Sequence, residues 1–375
     1  DRVYYMKEEN RRYAEEAFEI VEHAAKKIGS RLPGSDGEKE YAAYMGDKLR
    51  SIGIEPVREE FAVSPRASIG GIPYAGYLGL IMSALVYVAL HLSAVWYGMA
   101  LASVVCWVWL ILSVFLYKTW FDMFFKQEIS QNTYGELLPP DGKYDYTIIL
   151  SGHTDTSWCW RNSAHASKFK KTKPAMGLVA TFAKVGFGVI CFLFLTAVSI
   201  AMTVISSGVY FGEVWALKIA NSASFANFLF AMHFLPVVTA IGCMFVVMWA
   251  DPNPRNASRG AMDNATGCAL SFAVTKYFHD HPEKMPKNCR IIDFNCGSEE
   301  AGLRGSIAFT REHKGEPILE NTWNINIDSV ADKDFFEVVI KDDWQFCRFD
   351  TDLEKMFKDT FNELGIVTVS YTHLR

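Results

Sequence analysis

Arg290-Ile291-Ile292-Asp293-Phe294 runs into Cys296-Gly297-Ser298-Glu299-Glu300-Ala301-Gly302-Leu303-Arg304-Gly305-Ser306. The first run is apolar and β-branched enough to read as a strand, and the small residues after it read as a turn. The turn carries two adjacent carboxylates at the rim of a sheet. Like charges this close repel unless a cation holds them, and a divalent metal is a common solution. One glutamate could then ligate the metal while the other stays free as a general base. An isolated Glu-Glu pair is ordinarily a solvated surface turn, so the rest of the chain has to decide.

Working outward, other strand-like runs end in reactive residues. Residues 144–150 lead into Ser151-Gly152-His153-Thr154-Asp155-Thr156, and residues 322–327 lead into Asp328. Gly260-Ala261-Met262-Asp263-Asn264-Ala265-Thr266-Gly267 is predicted to open a helix running to about residue 279, and a further helix is expected over about 302–313. Nearer the start, a charged amphipathic helix spans 5–30. A turn at Leu32-Pro33-Gly34-Ser35-Asp36-Gly37 precedes a helix over about 37–52, which Ser35 or Asp36 could cap. Ile54 to Val63 alternates like a strand. Strands alternating with helices give an α/β class, and such sheets place their sites at the carboxyl ends of the strands. His153, Asp155, Asp263, Glu299, Glu300 and Asp328 supply one imidazole and several carboxylates, a hard N/O set suited to zinc or another divalent ion. Each of these residues taken singly has a bland reading as a loop residue, a helix cap or a turn former.

The chain holds 375 residues with a net charge of −5, which gives no sign of nucleic-acid binding. Half of it is hydrophobic, and that excess is concentrated. Residues 72–92, 94–117, 185–206 and about 224–250 lack acidic and basic side chains, and each is long enough to cross a bilayer. They form two expected hairpins, with Pro236 set to kink the last span. The alternative is a helical bundle buried in a large soluble protein. The expected organisation is residues 1–70, 119–175 and 251–375 as one catalytic domain, interrupted by hairpins at 71–118 and 176–250. Lys118, Lys126, Lys168, Lys170, Lys171, Lys173, Arg255 and Arg259 lie on the domain side, while the hairpin tips offer only Lys218, offset by Glu213. The positive-inside rule therefore puts the catalytic domain in the cytoplasm, with the cluster from Lys168 to Lys173 facing anionic lipid. The eight cysteines include no CxxC pair, which excludes a thiolate zinc site of that kind and fits a reducing compartment.

Taken together, these motifs resemble the M28 zinc aminopeptidases, the co-catalytic di-zinc exopeptidases. The matching residues are Arg31-Leu32-Pro33-Gly34-Ser35, Gly152-His153-Thr154-Asp155, the Gly260–Gly267 stretch and the Glu299–Ser306 stretch. The intervals from Asp263 to Glu299 and from Glu300 to Asp328 are also similar to the family's. The resemblance implies a three-layer α/β/α zinc-exopeptidase domain of the phosphorylase/hydrolase-like kind with a mixed central sheet, here interrupted by the two hairpins. It implies two Zn2+ ions, with His153 and Asp328 on one, Glu300 on the other and Asp263 bridging, its peptide to Asn264 cis. Asp155 would orient His153, and Glu299 would be the general base and acid acting on a peptide substrate.

The family's second zinc also takes a histidine from near the C-terminus. His373 is the one histidine after Asp328 and lies closer to it than in the family. The segment Val369-Ser370-Tyr371-Thr372-His373-Leu374-Arg375 resembles translated adapter sequence, so the expected ligand lies beyond residue 375. The implied activity is that of a membrane-bound aminopeptidase. Competing readings are an inactive peptidase-fold binding module, or related di-zinc chemistry: a carboxypeptidase, another amidohydrolase or a glutaminyl-cyclase-like enzyme.

Overall fold

The computed structural model describes residues 8–161, 174–250, 258–330, 336–342, 345–366 and 368–373. The lysines from Lys168 to Lys173, Arg255 and the side chain of His373 lie outside the described residues. The chain divides into two units. One comprises Asp1–Pro65, Phe115–Ser157 and Pro254–Arg375, and the other Arg66–Val114 and Trp158–Asn253.

The first unit is built on strands β1 (Val57–Val63), β2 (Glu128–Leu137), β3 (Tyr146–His153), β4 (Cys289–Cys296) and β5 (Thr322–Asn326), in the order β1-β2-β4-β3-β5. β3 runs parallel to β4 and β5, while β1/β2 and β2/β4 are antiparallel, so the sheet is mixed. Every residue of β4 is buried. A central strand covered on both faces reads as a continuous apolar run, which is why Arg290–Phe294 was legible. Alternate residues face opposite sides. Leu150 and Ile291 pack with Met285 on one side, whereas Ile149, Ile292 and Phe294 pack with Phe309 on the other. A further core joins helices α1 (Glu8–His23) and α2 (Asp36–Ser51) through Tyr13, Ile20, Tyr41, Met45 and Leu49, together with Phe272.

Two expectations change here. The strand after Tyr144 starts at Tyr146 and continues through His153, so the histidine is the last residue of β3 and not a loop residue. β2 was not foreseen, because Ser130-Gln131-Asn132-Thr133 reads as polar loop, yet all four residues are buried.

His313, just past the helix over Arg304–Glu312, ties that helix to β1. Its Nε2 lies 2.7 Å from Glu59 Oε1 and its Nδ1 2.7 Å from Glu316 Oε2. Both nitrogens donate only in the imidazolium form. Burial pulls the His313 pKa down, but the bonds to Glu316 and Glu59 outweigh it and hold the value above 6.5. A raised folded-state value means stabilisation that is complete below the unfolded pKa and fades as pH rises through the folded one. His313→Gln is therefore expected to lower the melting temperature below pH 6.5 and to cost progressively less above it. A melting series across pH on variant and parent checks this, and a pH-independent difference would contradict it.

A smaller sheet of β6 (Phe336–Asp342), β7 (Cys347–Arg348) and β8 (Thr368–His373) also belongs to this unit, in the order β7-β6-β8.

The second unit is helical, with α3 (Ile72–Ala89), α4 (Ala94–Trp109), α5 (Pro174–Tyr210), α6 (Val214–Ala220), α7 (Ala223–Ala231) and α8 (Leu235–Val247). Three helices are long and apolar enough to cross a membrane, over Ile69–Ala89, Ala94–Phe115 and Phe182–Tyr210. The fourth expected span is a bent pair, α7 and α8, meeting at 49°. Pro236 has no N–H and its ring clashes with the carbonyl four residues earlier, so a continuous helix cannot pass Met232. Buried polar side chains pair between helices: Ser83 Oγ lies 2.9 Å from Thr239 Oγ1, and Trp107 Nε1 donates to Thr196 Oγ1 at 3.1 Å. Gly242 allows α8 to approach α5, since a Cβ there would meet the Cys191 sulfur.

Candidate metal centre

Parallel pairing brings three strand ends to one rim. His153 is the register partner of Cys296, and Ser151 that of Asn326. The residues just after β4 and β5 therefore emerge beside His153: Glu299 and Glu300 from one, Asp328 from the other. Further bonds lock the rim together, with Thr154 N donating to Cys296 O and Ile327 N to Ser151 O, both at 2.8 Å.

The predicted helix start at Gly260 is replaced by an irregular turn. Asp263 and Asn264 have non-helical φ/ψ, the peptide between them is cis, and the helix proper, α9, spans Thr266–Asp280. Asn264 anchors the turn at both ends. Its Nδ2 donates to Ile327 O at 2.9 Å, and its Oδ1 accepts Gly267 N at 2.9 Å. Asp263 is thus presented to the rim, not spent as a helix cap.

Gly260 has φ +54, and a Cβ there would strike the Thr156 methyl and the Arg31 guanidinium. Arg31 is fully buried. It donates to Thr154 O at 2.7 Å, Gly29 O at 3.0 Å, Arg259 O at 2.9 Å and Gly260 O at 2.9 Å. One guanidinium therefore ties the segment after β3 to the turn carrying Asp263. Fixed donors aimed at carbonyls suit arginine, which no other side chain can replace.

The functional side chains converge on His153, whose side chain is 2% exposed. His153 Nδ1 lies 3.2 Å from Asp155 Oδ1. His153 Nε2 faces Asp263 Oδ1 at 3.0 Å, Glu299 Oε2 at 3.8 Å and Asp328 Oδ2 at 3.9 Å. Ligand atoms of His153, Asp263 and Asp328 all lie within 4.8 Å of one another. Burial lowers the His153 pKa, but Asp155, Asp263 and Glu299 outweigh it and hold it well above the ordinary histidine value. Glu300 is buried outside that triplet. Burial first, then the charges of Glu299 and Asp263, push it well above the usual carboxylate range.

A cation is the group such a site fits. His153 Nε2 is buried and faces acidic oxygens of Asp263, Glu299 and Asp328 at 3.0, 3.8 and 3.9 Å. An imidazole lone pair among carboxylates is the donor chemistry of a zinc-type ion. Binding at the triplet would require His153 neutral, so a proton leaves on loading and affinity falls as pH drops.

Asp155 does more than orient His153. It is fully buried, and its two oxygens also accept Glu299 N and Glu300 N, each at 2.9 Å. Sequence reading missed Glu38 and Asn132. Glu38 Oε1 accepts Ser298 N at 2.6 Å, and Asn132 Oδ1 accepts Gly297 N at 3.0 Å. Burial and then the neighbouring Asp155 charge push Glu38 up to about 8. A cue existed in the Ser35-x-x-Glu38 spacing at the start of α2, which marks a glutamate placed to take backbone N–H groups.

Residues 244–368 match the sequence model of Peptidase family M28. Over that span the chain is similar to that family. Among solved structures it is similar to BSAP, a zinc aminopeptidase from Bacillus subtilis, at 12% identity and TM-score 0.47, covering 96% of this chain and 80% of that one. It is also similar to an aminopeptidase from Aneurinibacillus sp. strain AM-1 at 10% identity and TM-score 0.44, covering 97% and 86%. A glutaminyl cyclase from Bacteroides thetaiotaomicron aligns at 11% identity and TM-score 0.46, covering 96% and 77%. Comparison with curated proteins gives no match.

Proposed function

We propose that this chain is a membrane-bound, zinc-dependent metallopeptidase that removes N-terminal residues from peptides. The observation that carries the reading is the convergence of His153, Asp263 and Asp328 at one rim, with Glu299 3.8 Å from the same imidazole. The M28 match over residues 244–368 supports it.

His153 and Asp328 would hold one Zn2+, Glu300 a second, with Asp263 shared; when bound, the ions polarise a carbonyl and lower the pKa of water. Asp155 accepts a hydrogen bond from the Nδ1–H of His153 and so fixes the tautomer that leaves Nε2 basic. Glu299 accepts a proton from the attacking water and returns it to the departing amine. Its backbone is fixed by Asp155, so the carboxylate swings from a rigid point. The apolar helices of the second unit would anchor the chain in a bilayer. The lysine and arginine distribution favours a cytoplasmic catalytic domain.

Metal analysis and a substrate scan test the reading together. The purified full chain is expected to carry about two zinc ions, as two-metal sites do. It should cleave aminoacyl chromogenic substrates, with activity abolished by acetylating the substrate amine. Cleavage that survives acetylation would exclude an aminopeptidase, and a metal-free, inert chain would favour a binding module.

A further inference from the structure

We infer that Glu38, on α2 and remote in sequence from the rim, is a positioning residue that sets the turn bearing the general base. This inference rests on the peptidase reading above. Ser35 caps α2, its Oγ accepting Glu38 N at 3.4 Å. In a capping box, the glutamate at this spacing returns to the N–H of the cap residue. Here Ser35 N donates to Leu32 O at 2.9 Å instead, which leaves the Glu38 side chain for other donors. One of its oxygens accepts Gly34 N at 2.6 Å. The other accepts Ser298 N at 2.6 Å and Ser298 Oγ at 3.0 Å.

Ser298 immediately precedes Glu299 and sits at φ +52. A left-handed residue in a turn points successive N–H groups toward a common side, forming a concavity that takes negative oxygens. In this protein the concavity is filled from within. Gly297 N goes to Asn132, Ser298 N to Glu38, and Glu299 N and Glu300 N to Asp155. Consecutive main-chain donors are thus held by buried side chains from β2, α2 and the end of β3. Asp155 also touches His153, so its loss would disturb the imidazole and the turn together. Glu38 is fully buried, and its hydrogen bonds to the turn fall on Ser298, while its charge is also felt by Asp155. It therefore acts through the turn on where Glu299 stands, and makes its bonds there rather than to His153.

Glu38→Gln in the zinc-loaded full chain tests this. Glutamine keeps the volume, but however its amide is turned, the NH2 faces either Gly34 N–H or Ser298 N–H. The expected result is a fall in kcat of about 10- to 100-fold, the usual range for outer-shell partners. KM should change by less than about twofold, because substrate contacts are untouched. Zinc content should be unchanged. Hydrogen exchange at the amides of Ser298–Glu300 should accelerate by about 10-fold, in line with loss of one holding bond, while the segment from His153 to Thr156 stays protected. Ser298→Ala keeps the N–H and removes only the hydroxyl, so it should show a weaker effect of the same kind.

Parental kcat and parental exchange in folded Glu38→Gln overturn the inference. So does a loss of kcat that merely tracks lost zinc or unfolded protein. If Glu38→Gln does not fold, unaltered kcat and exchange in Ser298→Ala overturn it instead. Accelerated exchange in a chain whose parent cleaves no peptide would uphold the hold on the turn and retire the peptidase reading, so the two failures are distinguishable.

Discussion

Glu299→Gln is expected to abolish peptide hydrolysis while leaving zinc bound. General acid–base catalysis contributes about 10²- to 10⁴-fold, so kcat should fall by that factor, about 3–5 kcal/mol in the barrier. The geometry makes the variant informative. The main chain of Glu299 is fixed by Asp155 and the preceding residue by Glu38, so glutamine should occupy the same place. It keeps the size and polarity of the side chain and loses only the ability to take a proton. The proposed ligands are His153, Asp263, Glu300 and Asp328, not Glu299, so zinc stoichiometry should hold. Retained hydrolysis would remove Glu299 from the mechanism, and loss of zinc would make it a ligand.

The same substitution has an effect in the opposite direction on the metal-free chain. Glu299 is the charge that most raises Glu300, after burial itself. A carboxyl whose folded-state pKa lies above its unfolded value stabilises the fold fully at acid pH and loses that contribution as pH rises through the folded pKa. Metal-free parent protein should therefore melt lower at neutral pH than at mildly acid pH. Glu299→Gln should weaken that dependence. Chelated samples melted across pH would reveal it, and identical profiles for parent and variant would rule out the coupling.

The sequence was most legible where chemistry and burial coincide. β3 and β4 read as strands because buried strands carry continuous apolar runs, β5 read as one from its alternation at the sheet edge, and polar residues directly after such runs mark a rim. His153, Glu299 and Asp328 were singled out on that basis and Asp263 as the opening of a helix, and their side chains meet around one imidazole. The framework behind them was far less visible. Arg31 stood out only as part of a motif, and Glu38 and Asn132 not at all; these residues act on backbone atoms far away in the chain, and a side-chain-to-carbonyl or side-chain-to-N–H bond leaves no complementary residue to find. β2 escaped notice for a related reason, since its buried polar residues, among them Asn132 bonded to Gly297 N and Gly305 O, break the apolar alternation that marks a strand. In the helical unit, Pro236 correctly signalled an interruption. Composition could not show that it separates two helices instead of kinking one.

Asp155→Asn is the second change expected to act strongly, and for a reason that composition hides. Asp155 is fully buried and presents only acceptors to three donors: His153 Nδ1, Glu299 N and Glu300 N. Asparagine is the same size, but one of its two positions becomes an NH2. If that group replaces Oδ2, it confronts Glu300 N–H. If it replaces Oδ1, it confronts Glu299 N–H and forces His153 into the tautomer that protonates Nε2. The first arrangement leaves a buried donor unsatisfied, at about 1–3 kcal/mol. The second removes the basic nitrogen from the rim. The first loosens the turn that carries Glu300 and the second disturbs His153 as well, so zinc affinity and kcat should each fall by about 10- to 100-fold. This differs from Glu299→Gln, which spares zinc, and from Glu38→Gln, which spares both zinc and the imidazole. Zinc titration of the variant against the parent, alongside kcat at saturating zinc, separates the contributions. A variant that binds zinc as the parent does and regains full kcat would show that the buried carboxylate serves neither His153 nor the turn.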